Sequence, residues 1–125
     1  MAINGRNKGA NAERDAAKWL QKHFKLVNTP LRNLEQYRNG GVDLIGFPPF
    51  AFEIKRQEKL DLRGAWLQIV GACGDDVPVV MYRKNYKDWH FLVSAKWMGL
   101  RNGFIRLEQR EFLMWGEQRL QEQSE

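Results

Sequence analysis

Two apolar segments, residues 42–47 and 50–57, stand either side of Pro48-Pro49, and each carries charge where charge is costly. A carboxylate in a strand-like run must be solvated, paired or bound to a cation. Val42-Asp43-Leu44-Ile45 holds one such residue, and Phe52-Glu53-Ile54-Lys55 holds another beside a lysine. The short connection predicts that the segments pair as a hairpin, which brings Asp43 near Glu53 across the ladder. Side chains alternate along a strand. If Phe52 and Ile54 enter the core, Glu53 and Lys55 therefore emerge together on the other face.

The remaining pattern surrounds this hairpin with helices. Gly9, Glu13, Ala16, Ala17, Leu20 and Phe24 recur at helical spacing, so a helix is expected from about Lys8 to His23, with Asn7 as its cap. Leu31 to Arg38 reads as a first strand, and Asn39-Gly40 as a tight hairpin turn. Val42 to Phe47 and Phe50 to Gln57 follow as strands. Leu62, Ala65, Trp66, Ile69, Val70 and Cys73 mark a second helix. Val77 to Arg83 and Trp89 to Val93 read as two more strands, Ser94 as the cap of a short turn through Trp97, and Arg110 to Gln121 as a last helix. The expectation is a single α/β domain with a central mixed five-stranded β-sheet flanked by α-helices.

Length and charge narrow the class. At 125 residues and 43% hydrophobic content, the chain suits one domain with one core. That core is expected at about 6–107, with an acidic C-terminal helix at about 108–125. No run approaches the ~18 apolar residues of a membrane span, and the start has no apolar signal-like stretch. The single cysteine, Cys73, excludes an intramolecular disulfide and a multi-cysteine zinc site. The expected location is cytoplasmic. Residues 1–107 hold 18 basic and 10 acidic side chains, a net of +8, whereas residues 108–125 hold 2 and 5, a net of −3. A basic body suits a polyanionic partner, although ordinary solubility charge explains the overall +5 equally well.

The embedded charges suggest a chemistry. Two close carboxylates repel, and one pKa rises unless a cation sits between them. A hard divalent ion such as Mg²⁺, with Mn²⁺ as substitute, fits Asp43 and Glu53, and the main-chain carbonyl of Ile54 is a third candidate ligand. Lys55 then stabilises negative charge developing on a phosphate. Glu13 lies on the apolar stripe of the first helix, where a carboxylate is unusual. It could orient a nucleophilic water or bind a second ion. Plainer readings stay open. Glu53 and Lys55 suit a surface ion pair, Asp43 a turn cap beside Gly40-Gly41, and Glu13 a solvent-edge partner of Arg14 or Lys18.

Three motifs in this order, Lys8-Gly9-Ala10-Asn11-Ala12-Glu13-Arg14, Gly41-Val42-Asp43 and Phe52-Glu53-Ile54-Lys55, resemble the PD-(D/E)xK nuclease superfamily. Within it, the chain is most similar to Holliday junction resolvases of archaeal and phage type, over about residues 6–94. The resemblance implies a restriction-endonuclease-like fold and a Mg²⁺-dependent DNA endonuclease of DNA recombination and repair. It further implies a homodimer that cuts four-way junctions symmetrically. Glu13, Asp43, Glu53 and Lys55 carry over as catalytic residues, and Arg14 and Gln68 as further contacts. Val42 departs from the pattern, since the superfamily name has proline there and some resolvases a hydroxyl residue. The acidic tail from Glu108 is also outside the family core. A nuclease not specific for junctions, and a non-catalytic DNA-binding module with a degenerate site, are the alternatives.

Arg6, Lys8, Arg14, Arg56, Lys59, Arg63, Arg83 and Lys84 are candidate phosphate contacts, which position DNA without reading bases. Gln68 lies off the apolar stripe of the second helix, on a face with Gly64 and Gly71, where glycines would allow close approach of substrate.

Overall fold

The computed structural model describes residues 5–34, 41–56, 59–84 and 87–124. Helix α1 spans Gly5–Phe24 and is built on the expected stripe, with Ala12, Ala16, Ala17, Leu20 and Phe24 buried. It begins a turn earlier than the sequence suggests, so Asn7 lies inside it, and Gly9 is exposed. It ends where Lys25 takes a left-handed conformation (φ 54°) and the Leu26 N–H donates to the Gln21 carbonyl at 3.0 Å. That bond satisfies one of the terminal carbonyls a helix leaves open.

Strands β1 (Leu31–Arg32), β2 (Leu44–Ile45) and β3 (Phe50–Arg56) follow, then helix α2 (Leu62–Ala72) and strands β4 (Val77–Arg83) and β5 (His90–Ser94). A 3₁₀ turn at Lys96–Met98 leads into β6 (Phe104–Leu107) and helix α3 (Gln109–Ser124). The strands form one mixed sheet in the order β1-β2-β3-β4-β5-β6. Only β3 and β4 run parallel, joined by α2 as a β-α-β crossover, and the other neighbours are antiparallel.

The sheet thus has six strands among the described residues, not the expected five. The added strand, Phe104-Ile105-Arg106-Leu107, is short for a strand and pairs only along β5, from Phe91↔Leu107 to Ser94↔Phe104. Four residues carry too little periodicity to be read without that partner. The first two strands are correspondingly shorter than expected. Gly46, at φ 93°, ends β2, and the Asp43 side chain occupies the ladder position on its other side. The expected Asn39-Gly40 turn lies outside the described residues. Asp61 starts α2 by accepting the Gly64 N–H at 2.9 Å, an N-cap worth roughly 1 kcal/mol. Among the described residues, no helix is long and apolar enough to cross a membrane.

Both faces of the central strands are covered. Phe52, Ile54, Val79, Met81, Phe91 and Val93 pack with α1 and with Phe112 of α3. Ala51, Val80, Tyr82 and Leu92 pack under Ala65, Trp66 and Ile69 of α2. The face that carries Glu53 and Lys55 is therefore beneath a helix rather than in open solvent. α3 is locked to the sheet through Phe112, whose ring stacks on Phe91 at 3.9 Å between centroids and nearly parallel.

Gly116 of α3 faces Phe24 so closely that an added Cβ would stand 2.7 Å from the ring. Helix propensity favours Gly116→Ala by ~1 kcal/mol, but overpacking a rigid aromatic site costs ~1–3 kcal/mol. Gly116→Ala is expected to lower the thermal midpoint by several degrees. An unchanged or raised midpoint in a calorimetric scan would show that the Phe24 ring yields.

Candidate active site

The four acid and base residues converge at the C-terminal end of β3. Asp43 is fixed by its backbone first. Its N–H donates to the Phe52 carbonyl at 2.8 Å, and its own carbonyl accepts the Asn33 N–H at 2.9 Å. The buried Asn33 side chain adds a bond from Nδ2 to the Val42 carbonyl at 2.9 Å. So held, the Asp43 carboxylate replaces a main-chain acceptor, its Oδ2 taking the Ile54 N–H at 2.7 Å. The paired strands end there because a side chain has taken over the ladder.

Glu53 is 2% exposed and Asp43 8%. Lys55 shares the face of Glu53, two residues on, and its Nζ stands 3.1 Å from Glu53 Oε1. The other oxygen, Oε2, is buried without a hydrogen-bond partner. Leaving such an atom unsatisfied costs ~1–3 kcal/mol, more for a charged group. A plain surface ion pair would not bury one partner in this way. Glu13 reaches the same place from α1, and its Oε1 accepts from Arg32 Nε at 3.2 Å. Its partner is thus Arg32 on β1, not Arg14 or Lys18.

Electrostatics couples the three carboxylates. Burial pushes the Asp43 pKa up to about 7, and the neighbouring Glu53 and, more weakly, Glu13 charges add to the rise. The Ile54 N–H and the Lys55 ammonium oppose it. Burial also raises the Glu53 pKa, with Glu13 adding, while Lys55 and contact with Asp43 pull it back. Two close buried acids resist ionising together, and a cation between them would relieve both.

A hard divalent ion fits this donor set. It would take oxygen from Asp43 and Glu53, whose Oε2 has no other partner. The carbonyl of Ile54 leaves the strand on the same edge as the N–H that meets Asp43, because both backbone groups of a strand residue point one way. Mg²⁺ characteristically uses one or two carboxylates and keeps its waters. Among the described residues, no group of three or more His, Cys, Asp and Glu side chains stands together as a metal cage. Glu13 joins the site through its charge, which raises the pKa of both Asp43 and Glu53.

The remaining candidates divide. Gln68 shares a cleft with Lys55. Gly64, on the same helix face, is needed by the cap, since a Cβ there would meet Asp61 Oδ2 at 2.3 Å. Lys59, Arg63 and Lys84 are exposed. Arg14 is exposed and donates to Asn11 Oδ1 at 3.2 Å. Arg83 is already engaged. Its guanidinium pairs with Asp15 Oδ2 at 2.7 Å and lies 4.3 Å from the centre of the Trp89 ring. Arg56 pairs in register with Arg83 at the ends of the parallel strands. The side chains of Arg6 and Lys8 lie outside the described residues.

Sequence reasoning passed over Arg32 and Asn33. Each acts through pairing of β1 with β2, where Arg32 opposes Leu44. A polar pair between an exposed leucine and the turn gives no periodic signal that could have marked it. Comparison with protein families, curated proteins and solved structures finds no match to this chain.

Proposed function

We propose that the chain is a Mg²⁺-dependent endonuclease that hydrolyses DNA phosphodiester bonds, and that its substrate is the four-way junction, cut symmetrically by a homodimer. The observation that carries this reading is the buried Asp43–Glu53 pair, both of whose pKa values are raised by burial, with Lys55 beside it. Such a pair is costly to a fold and is explained by a bound cation. Asp43, Glu53 and the Ile54 carbonyl would hold the ion, with Mn²⁺ able to replace Mg²⁺. When bound, it supplies Lewis acidity toward the phosphate and a water acidified enough to attack.

The chain's own residues supply the rest. Lys55 faces the phosphate and offsets the charge that builds on its oxygens. Glu13, kept in place by Arg32, accepts a hydrogen bond from the attacking water and so aims it. Lys59, Arg63 and Lys84, with Arg56 nearer the site, hold the backbone, which predicts strong salt dependence of binding. The junction preference, the homodimer and a role in DNA recombination and repair rest on the resemblance of the Glu13, Asp43 and Glu53-Ile54-Lys55 motifs to resolvases, whereas a cytoplasmic location rests on the single cysteine and the polar start.

One assay separates the readings. End-labelled four-way junction, linear duplex and single strand are incubated with and without Mg²⁺, and the cuts mapped. Paired symmetric nicks confined to the junction, only with Mg²⁺, are expected. Equal cutting of linear duplex would replace the resolvase with a general nuclease of the same chemistry. Junction binding without cutting, and no heat of Mg²⁺ or Mn²⁺ binding in titration, would leave a DNA-binding module.

A further inference from the structure

Beside the carboxylates, between the end of β3 and the first turns of α2, lies a cleft of about 260 Å³. Lys55, Leu60, Leu62, Ala65 and Gln68 line it, with Asp61 and Gly64 completing the wall. Its volume falls just short of the ~300–1,000 Å³ of sites that take a whole drug-sized ligand, so it suits one flat fragment of a larger one.

Its chemistry is wrong for a phosphate. Asp61 places a carboxylate in the wall, and its Oδ1 already takes the Gly64 N–H at 2.9 Å. The positive end of α2 is thereby answered from within the protein. The Lys55 ammonium pairs with Glu53 Oε1 at 3.1 Å, so its charge serves the carboxylate site, where the phosphate is proposed to sit, and not the floor of the cleft. What remains is a mixed surface, with apolar patches from Leu60, Leu62 and Ala65 and at least as much polar area, including an exposed side-chain amide, Gln68, that both donates and accepts. A planar, uncharged heterocycle with donors and acceptors on its rim matches both parts.

We propose that this cleft receives the nucleobase adjoining the scissile phosphate, and that Gln68 reads its edge. This rests on the nuclease reading above. Lys55 lines both the cleft and the carboxylate site, so a base in the one lies within a nucleotide of a phosphate at the other. Leucine side chains cover the base face without regard to sequence, while the Gln68 amide adds a preference. Adenine is the best match to a glutamine amide, offering one donor and one acceptor side by side.

The test uses the full chain carrying Glu53→Gln, so that binding is read without cutting. A single abasic site is moved through the nucleotides nearest the branch point of a four-way junction, and affinity is measured by fluorescence anisotropy. One position is expected to lose about fivefold or more, from the apolar contact area given up when the base is removed, and adenine is expected to bind best there. Adding Gln68→Ala should level the ranking among bases. Leu67→Ala, an exposed neighbour on α2, should leave it intact. Equal binding at every abasic position, or a ranking that survives Gln68→Ala, would overturn the proposal. The nuclease reading fails separately, if the unmodified protein binds junctions and never cuts them while the abasic effect persists. No binding to DNA at all would end both.

Discussion

Glu53→Gln should reduce Mg²⁺-dependent cleavage by at least a hundredfold while junction binding stays within about threefold. The amide keeps the shape of the carboxylate but brings no negative charge to a cation, and it presents an N–H₂ where a ligand oxygen is needed. Loss of one well-placed electrostatic contact in an active site commonly costs ~10²–10³ in rate. Here the contact also neutralises Lys55, so both a metal ligand and the setting of the lysine are lost together. Glu53→Gln also leaves Lys55 without its ion-pair partner, so loss of stability has to be separated from loss of the site. Unfolding midpoints measured alongside the rates make the separation explicit. Full cleavage by Glu53→Gln with Mg²⁺ present would sink the assignment of this site.

Asp43→Asn should be the more stable protein above neutral pH, by on the order of 4 kcal/mol at pH 8, and close to the unmodified chain near pH 4. The Asp43 pKa rises from 3.8 to about 7 on folding. Between those values the folded state keeps a proton that the unfolded chain has released, so stability falls as pH rises. The loss begins near pH 4, continues to about pH 7 and then levels off. Asparagine has no proton to lose, and its side-chain carbonyl can still accept the Ile54 N–H. Thermal melts without divalent ions at pH 5 and 8 read this directly. Adding Mg²⁺ at pH 8 should raise the midpoint of the unmodified protein and not that of Asp43→Asn, since a cation stabilises only the state that binds it. A pH-independent midpoint in the unmodified protein would mean that Asp43 ionises as freely folded as unfolded. The stability gained by removing a functional acid is the usual trade between activity and stability.

How far the chain could be read from its residues follows from where the signal was local. The stripe of α1, the buried run of β4 and the alternation of Phe52 and Ile54 with Glu53 and Lys55 are all set by spacing within one element, and they stand as expected. The approach of Asp43 to Glu53 needed one short-range pairing, and that too was legible. What failed needed a partner distant in sequence. β6 exists through β5, the tie of Glu13 to Arg32 through packing of α1 on β1, and the burial of Glu53 through α2 lying across its face. The premature end of the β2–β3 ladder has another cause. A side-chain oxygen there does the work of a backbone one, which no hydrophobic pattern reports.

Docking of α3 through Phe112 bears on how the molecule must be handled. The ring against Phe91 belongs to a continuous aromatic group with Trp19, Phe24 and Trp115. A chain cut before Gln109 would bare that group to water, creating a greasy patch of the kind that drives self-association. The acidic residues of α3 then take on a colloidal meaning. The exposed Glu111, Glu117 and Glu122 put solvated charge on the helix that covers the aromatic group, so truncation is expected to cost solubility as well as stability.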